Sequence, residues 1–299
     1  MTVFRRLTVA IASGKGGTGK TLIATNLALA AARAGTPAAL VDCDVEAPND
    51  ALFFAALTDG VREVTFPLAT VDPDACTVCG ACRNACAYGA IRMLGASAVV
   101  FAELCHGCGA CIGVCPTSAL SETPQRVGEV AWGRVEHALA GPGGVDIVSG
   151  TLDIGDVKAP NVIRAARRRS EVISKQLTIL DAPPGVACSA VAATRGADAL
   201  VLVTEPTAFG LHDLELAVRL GRGLEIPMGV VINRDGAGSA DVDAFCAREG
   251  LPVLARIPFD RRVAEVYADG GLVIDGHPEG GAWFSTLWDS VVAMIGDEE

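Results

Sequence analysis

Short runs of nearly continuous apolar residues recur along the chain, separated by stretches with helical periodicity. LTVAIA (Leu7 to Ala12), AALVD (Ala38 to Asp42), VDIV (145–148), LTILD (Leu177 to Asp181), ADALVLVT (197–204), MGVVIN (228–233) and PVLARI (252–257) read as strands. Their lack of polar alternation predicts strands buried on both faces, as in a parallel sheet covered by helices. Between the first two, Lys20 to Ala34 predicts an apolar helix closed by Gly35, and Pro160 predicts the start of a helix running to about Ser174. The rhythm predicts an α/β fold with helices on both faces of a mostly parallel sheet.

From about Pro67 to Thr123 that rhythm stops, and cysteines take over. Cys76, Cys79, Cys82 and Cys86 recur, 29 residues on, as Cys105, Cys108, Cys111 and Cys115. CGAC occurs in both copies, and YGAI is echoed by TSAL. This is an internal duplication inserted into the α/β domain. It divides the chain into 1–66 and 124–299, which form one domain, and 67–123, which forms a smaller α+β lobe.

Each run is C-x2-C-x2-C-x3-C. At this spacing three thiolates wrap one 4Fe–4S cubane, and the fourth serves the other cluster. The expectation is one cluster on Cys76, Cys79, Cys82 and Cys115 and a second on Cys105, Cys108, Cys111 and Cys86. Zinc knuckles or disulfides are the alternatives, and neither explains the crossing fourth cysteine. The segment resembles the bacterial two-cluster ferredoxins, departing from them where Cys86 is followed by Ala87 while Cys115 is followed by Pro116.

GKGGTGKT, Gly14 to Thr21, satisfies the phosphate-cradling pattern G-x-x-x-x-G-K-[ST] between a strand and a helix. Backbone N–H groups from Gly14 through Gly16, Gly17, Thr18 and Gly19 are expected to face nucleotide phosphates, with Lys20 reaching the β/γ-phosphates and Thr21 coordinating Mg²⁺. Acidic residues close later strands: Asp42 and Asp44 in VDCD, and Asp181 in LDAPPG with Gly185 four residues on. Carboxylates there can hold Mg²⁺, directly or through water, and orient an attacking water.

The chain has 299 residues with a net charge of −11 and is 51% apolar, enough for a sizeable core. The acidic balance argues against nucleic-acid binding. Arg164, Arg167, Arg168 and Arg169 form the one basic cluster, read as the solvated face of a helix or a docking patch for an acidic partner. The apolar run after Arg5 and Arg6 is short and leads into the glycine loop, so it reads as a strand, not an export signal. No membrane anchor is expected, and eleven cysteines without an export signal point to the reducing cytoplasm.

KGGTGKT with DCDVEAPN and DAPPG resembles the deviant Walker A ATPases: MinD and ParA positioning ATPases, Mrp-type cluster carriers and the nitrogenase iron protein. TEPTAFGLHDLELA, VVINRDG and IPFDRRVAE resemble MinD-type ATPases that contain an inserted ferredoxin domain. The resemblance implies a homodimer with ATP sandwiched at the interface, Lys15 reaching the partner's nucleotide, Asp44 positioning water, Asp181 sensing Mg²⁺ and γ-phosphate, and Asn233 contacting adenine. It offers three functions: an ATPase coupled to electron transfer toward a redox partner protein, a cluster carrier of Mrp type, or a spatial regulator. The acidic chain end, WDSVVAMIGDEE, lacks the basic amphipathic helix of MinD. No C-x2-C pair follows Cys115, where Mrp-type carriers hold a labile cluster. Cys188 follows Asp181 by seven residues, like a cluster ligand of the nitrogenase iron protein. Its second ligand has no counterpart in roughly 141–169, so no bridging cluster is expected. Cys43 and Cys246 read as small buried residues.

Overall fold

The structure, a computed structural model, describes residues 6–54, 59–135, 137–173 and 175–296. Arg5, Ser174 and the last three residues of the acidic end lie outside them. Among the described residues, eleven strands follow in chain order: β1 Leu7–Ala12, β2 Ala38–Asp42, β3 Gly60–Val71, β4 Ile91–Leu94, β5 Ser97–Val100, β6 Leu120–Arg134, β7 Val145–Leu152, β8 Leu177–Asp181, β9 Ala199–Thr204, β10 Met228–Asp235 and β11 Val253–Pro258. Helices are α1 Lys20–Arg33, α2 Ala81–Ala85, α3 Ala110–Gly113, α4 His137–Ala140, α5 Ala159–Ile173, α6 Cys188–Thr194, α7 Ala208–Gly223, α8 Val242–Glu249, α9 Arg261–Ala268, α10 Val273–Gly276 and α11 Gly280–Gly296.

Nine strands form one sheet in the order β11-β10-β9-β1-β8-β2-β7-β6-β3. The pairings from β11 through β7 are parallel. β6 joins β7, and β3 joins β6, antiparallel, so the sheet carries a two-stranded antiparallel edge. Helices cover both faces. In β1, Val9 and Ile11 enter the core under α1 and α11, and Ala10 and Ala12 enter the core under α5 and α7. That alternation is the strand period of two acting on a doubly covered sheet. α1 is apolar nearly all round and is almost wholly buried, as that pattern requires.

The antiparallel edge was not legible in the apolar runs. β3 and β6 pair without interruption from Gly60↔Trp132 to Val71↔Leu120, with one register shift after Val64. The ribbon therefore runs straight through positions 67 and 123. Beyond its tip lie α2, α3 and the hairpin β4-β5. Buried residues there, Ile91, Ala98 and Leu120, join through Phe66 and Val64 to the core on the α5 face. The cysteine lobe and that face of the α/β domain thus share one apolar core.

Candidate nucleotide and cysteine sites

β8 lies between β1 and β2, with Ile11 and Asp42 both in register with Asp181. This gathers the glycine loop, Asp42 and Asp181 at the carboxyl ends of three adjacent strands, where open α/β sheets bind ligands. Gly19 caps α1 in the left-handed region at φ 98°. A side chain there would strike Asn233, whose amide donates to the Thr18 carbonyl over 2.7 Å. A Cβ on Gly14 would overlap the Asp213 backbone of α7. The loop is therefore gripped from two sides, by β10 and α7, while Gly17 opens onto free space.

The Thr21 hydroxyl donates to Asp181 Oδ2 over 2.6 Å. Asp181 Oδ1 and the hydroxyl of Thr18 are buried without a partner. Asp42 differs from the other strand-end acids. It accepts the N–H groups of Asp44, Asn49 and Asp50 at 3.1, 2.7 and 3.0 Å, so both its oxygens hold the loop after β2 in shape. Asp44 is partly buried. Desolvation raises its pKa, against the attraction of Lys20.

Asp50 was not anticipated. It is fully buried, and neither carboxyl oxygen has a hydrogen-bond partner. Burial, then the neighbouring charges of Asp42 and Asp181, push its pKa well up. Asp50 and Asp181 face each other, and two ionised carboxylates are both acceptors. A proton kept on Asp50 would let it donate to Asp181, the direction in which the two affect each other.

Lys20 is buried, whereas Lys15 is one-third exposed. The Lys15 ammonium lies 3.6 Å from Glu205, which also pairs with Arg234 at 2.5 Å. Beside the loop, a cavity is lined by Gly17, Gly19, Asn233, Pro258, Phe259 and Tyr267. Phe259 is 67% exposed, an aromatic face open to an occupant of that cavity. Gly185 has φ 87°, and its N–H donates to the Ser13 carbonyl, tying the segment after β8 to the glycine loop.

The eight repeat cysteines line two cavities. Cys76, Cys79, Cys82 and Cys115 surround one. Cys86, Cys105, Cys108 and Cys111 surround the other. The 29-residue repeat reappears in the backbone. Val78 and Gly107, Gly80 and Gly109, and Gly89 and Ser118 are pairs with φ between 54° and 79°. Ala90 N–H donates to Cys86 Sγ over 3.3 Å, and Ala119 N–H to Cys115 Sγ over 3.2 Å. N–H groups of Val78 and Ala98 hold the Cys76 thiol below its usual range. Cys115 also lies below it: burial alone would raise it, but N–H groups of Thr117 and Ala119 outweigh that. Burial pushes Cys82 and Cys111 up. The Tyr88 and His106 rings stack at 3.7 Å. Among the described residues, no three His, Cys, Asp or Glu side chains are grouped as a single metal ion would need. Cys43 and Cys246 are buried, and Cys188 is exposed at the start of α6.

A glycine loop gripped between strand and helix, with strand-end carboxylates around it, defines a P-loop nucleotide-binding protein of α/β type. The chain belongs to the CobQ/CobB/MinD/ParA nucleotide-binding domain family, which it matches over residues 9–273. It is 27% identical over 269 residues to an uncharacterised protein of Methanocaldococcus jannaschii, spanning 88% of this chain and 89% of that one. It is 26% identical over 284 residues to an iron–sulfur cluster carrier protein of Aquifex aeolicus, spanning 91% of this chain and 62% of the carrier. The septum site-determining protein MinD of Pyrococcus horikoshii, solved with Mg-ADP, superposes with a TM-score of 0.59 at 20% identity, covering 98% of this chain and 99% of that one. Among the described residues, no helix is long and apolar enough to cross a membrane.

Proposed function

We propose that this protein is an ATP-hydrolysing switch that holds two 4Fe–4S clusters in an inserted ferredoxin-like domain, residues 67–123. Nucleotide-driven dimerisation would control electron delivery to a redox partner protein. The observation that carries the reading is the sorting of the cysteines. Each cavity takes three from one run and the fourth from the other. Crossed ligation is the hallmark of the two-cluster arrangement. A cubane spreads its ligands over separate corners, so it does not need the tight grouping of a single ion. Peptide N–H groups bond to the sulfurs of both fourth cysteines, Cys86 and Cys115, and at Cys115 they favour the thiolate form that ligation requires. Bound there, each cluster would supply one-electron redox chemistry at low potential.

Mg-ATP fits the other site. The buried, unpartnered oxygens of Thr18 and Asp181 and the open space at Gly17 are what phosphate and hydrated Mg²⁺ would satisfy. Gly14, Gly16, Gly17 and Gly19 keep the backbone close to the phosphates. Lys20 binds the β/γ-phosphates, Thr21 and Asp181 hold Mg²⁺ directly or through water, and Asp44 orients the attacking water. Lys15 acts in trans in an ATP-sandwich homodimer, and leaves Glu205 to do so; Arg234 then keeps Glu205 paired. Asn233 borders the adenine cavity, and Gly185 carries the movement of the segment after Asp181.

One observation favours a second reading. The similarity to an iron–sulfur cluster carrier protein spans 91% of this chain, and a Mrp-type carrier would pass its cluster on. The test is anaerobic purification followed by iron, sulfide and zinc analysis. Electron transfer predicts about eight irons per chain, retained on incubation with an apo-ferredoxin acceptor. It also predicts that Cys115→Ser and Cys86→Ser each lose one cluster, as read by electron paramagnetic resonance. Stoichiometric zinc would overturn both readings, and transfer of iron to the acceptor would leave only the carrier.

A further inference from the structure

A cleft opens where the cysteine lobe meets the α/β domain, with a cavity volume of about 610 Å³. One wall carries Cys105 and His106 from the second cysteine run, and the same two residues also line the cavity shared by Cys86, Cys108 and Cys111. The opposite wall carries Arg164 and Arg167 of α5, and Cys188 and Arg195 of α6. Lys158 stands between the walls, donating to the Cys105 and Glu103 carbonyls at 2.6 and 3.1 Å.

The charge of this cleft runs against that of the molecule. The chain carries a net −11. Yet Arg164, Arg167, Arg195 and Lys158 form no ion pair among the described residues, and Glu103 is the one carboxylate in the lining. Arg164 reaches only the Asn161 amide oxygen, and Arg167 the Ala192 carbonyl. The basic run of α5 splits: Arg168 and Arg169 turn to a separate pocket, where Arg169 stacks 3.8 Å over Trp132. Only the first two arginines serve the cleft. Elsewhere, arginines such as Arg126 and Arg222 are paired with carboxylates.

We infer that this cleft is the docking site of an acidic electron-carrier protein. The inference rests on the reading above, in which Cys86, Cys105, Cys108 and Cys111 hold a cluster. Unpaired guanidiniums attract an acidic surface that the rest of the molecule repels, which concentrates encounters at one place. An occupant would rest against Cys105 and His106, immediately outside the cluster cavity. It would also touch α6, which begins seven residues after Asp181. Movement of the segment after β8 would therefore reshape one wall of the dock, and nucleotide state would set affinity for the carrier.

The test uses the anaerobically prepared full chain, first assayed for iron, and an acidic flavodoxin as the probe. Binding is followed by titration calorimetry at low and high salt, with basic cytochrome c as the control. We expect flavodoxin to bind in preference to cytochrome c and to weaken at least about tenfold between ~50 and ~500 mM salt. The double variant Arg164→Glu/Arg195→Glu should lose roughly tenfold or more, whereas Arg168→Glu should bind as the parent does. Alkylation of Cys188, read by peptide mass, should slow when flavodoxin is bound. Absence of iron would overturn the cluster reading itself. With iron present, the docking inference alone is overturned if flavodoxin binding is no tighter than that of cytochrome c, insensitive to salt, or equal in the double variant. It is also overturned if the double variant loses only self-association, which would make a second copy of this chain the occupant.

Discussion

The ammonium of Lys158 donates to the Cys105 carbonyl over 2.6 Å and sits 4.8 Å above the centre of the Phe66 ring. One side chain from the approach to α5 therefore pins the second cysteine run to the ribbon that carries the lobe. Lys158→Met keeps the apolar stem and removes the donors. It should cost about 1 kcal/mol and speed amide hydrogen exchange across residues 105–115, with exchange in β1 and α1 unchanged. Unaltered exchange in the lobe would show that Lys158 does not hold it.

Lys20→Ala should weaken ATP binding by about 10- to 100-fold, the loss of a charge-assisted phosphate contact. The two sites occupy different parts of the fold, so iron content and visible absorbance should not change. Fluorescent-nucleotide titration alongside iron analysis decides it. A folded variant that lost its iron would break the separation of the two chemistries.

Lys15→Ala should bind ATP nearly as the parent does but fail to dimerise with it, because the proposed contact is to the other protomer's phosphate. Glu205→Gln should do the reverse, freeing Lys15 from its 3.6 Å pairing and strengthening ATP-dependent association. Sedimentation velocity with and without ATP measures both. Equal sedimentation of parent and Lys15→Ala would remove the lysine from the interface.

Asp50→Asn should stabilise the nucleotide-free protein at neutral pH. Buried beside Asp181, Asp50 must take up a proton to fold at neutral pH, whereas an amide needs none and donates to Asp181 in the same place. Burial raises the folded pKa above the unfolded value near 3.8. The parent's contribution from Asp50 is thus fully present below that value. It is lost as pH rises through the window from the unfolded to the raised folded pKa. Melting of chelator-treated protein should accordingly fall as pH rises above about 4, and fall less in Asp50→Asn. A variant less stable than the parent at pH 7, with the same pH slope, would contradict this.

The parallel half of the sheet was readable because β1, β2 and β8 to β10 are buried on both faces, which leaves continuous apolar runs. β3 and β6 escaped the same reading because much of their length is exposed, as in Ser121 to Arg126, and their pairing is a tertiary fact. Chain position placed the glycine loop and Asp181, whose burial and proximity follow from β8 inserting between β1 and β2. Asp50 was invisible for the complementary reason. In APNDALF it looks like a turn acid, and only the approach of the end of β8 leaves it buried beside Asp181. Sequence also could not divide Arg164 and Arg167 from Arg168 and Arg169, since the split depends on what packs against each side of α5.

Coupling between the nucleotide switch and the cysteine lobe is the core of the account. The direct measurement is the steady-state ATPase rate of the anaerobic, iron-replete protein, oxidised and then reduced with dithionite, under otherwise identical conditions. Reduction should change the rate severalfold, and removing both fourth ligands, Cys86→Ser with Cys115→Ser, should abolish the difference while hydrolysis persists. Equal rates in the oxidised and reduced parent, with and without an acidic carrier present, would contradict it.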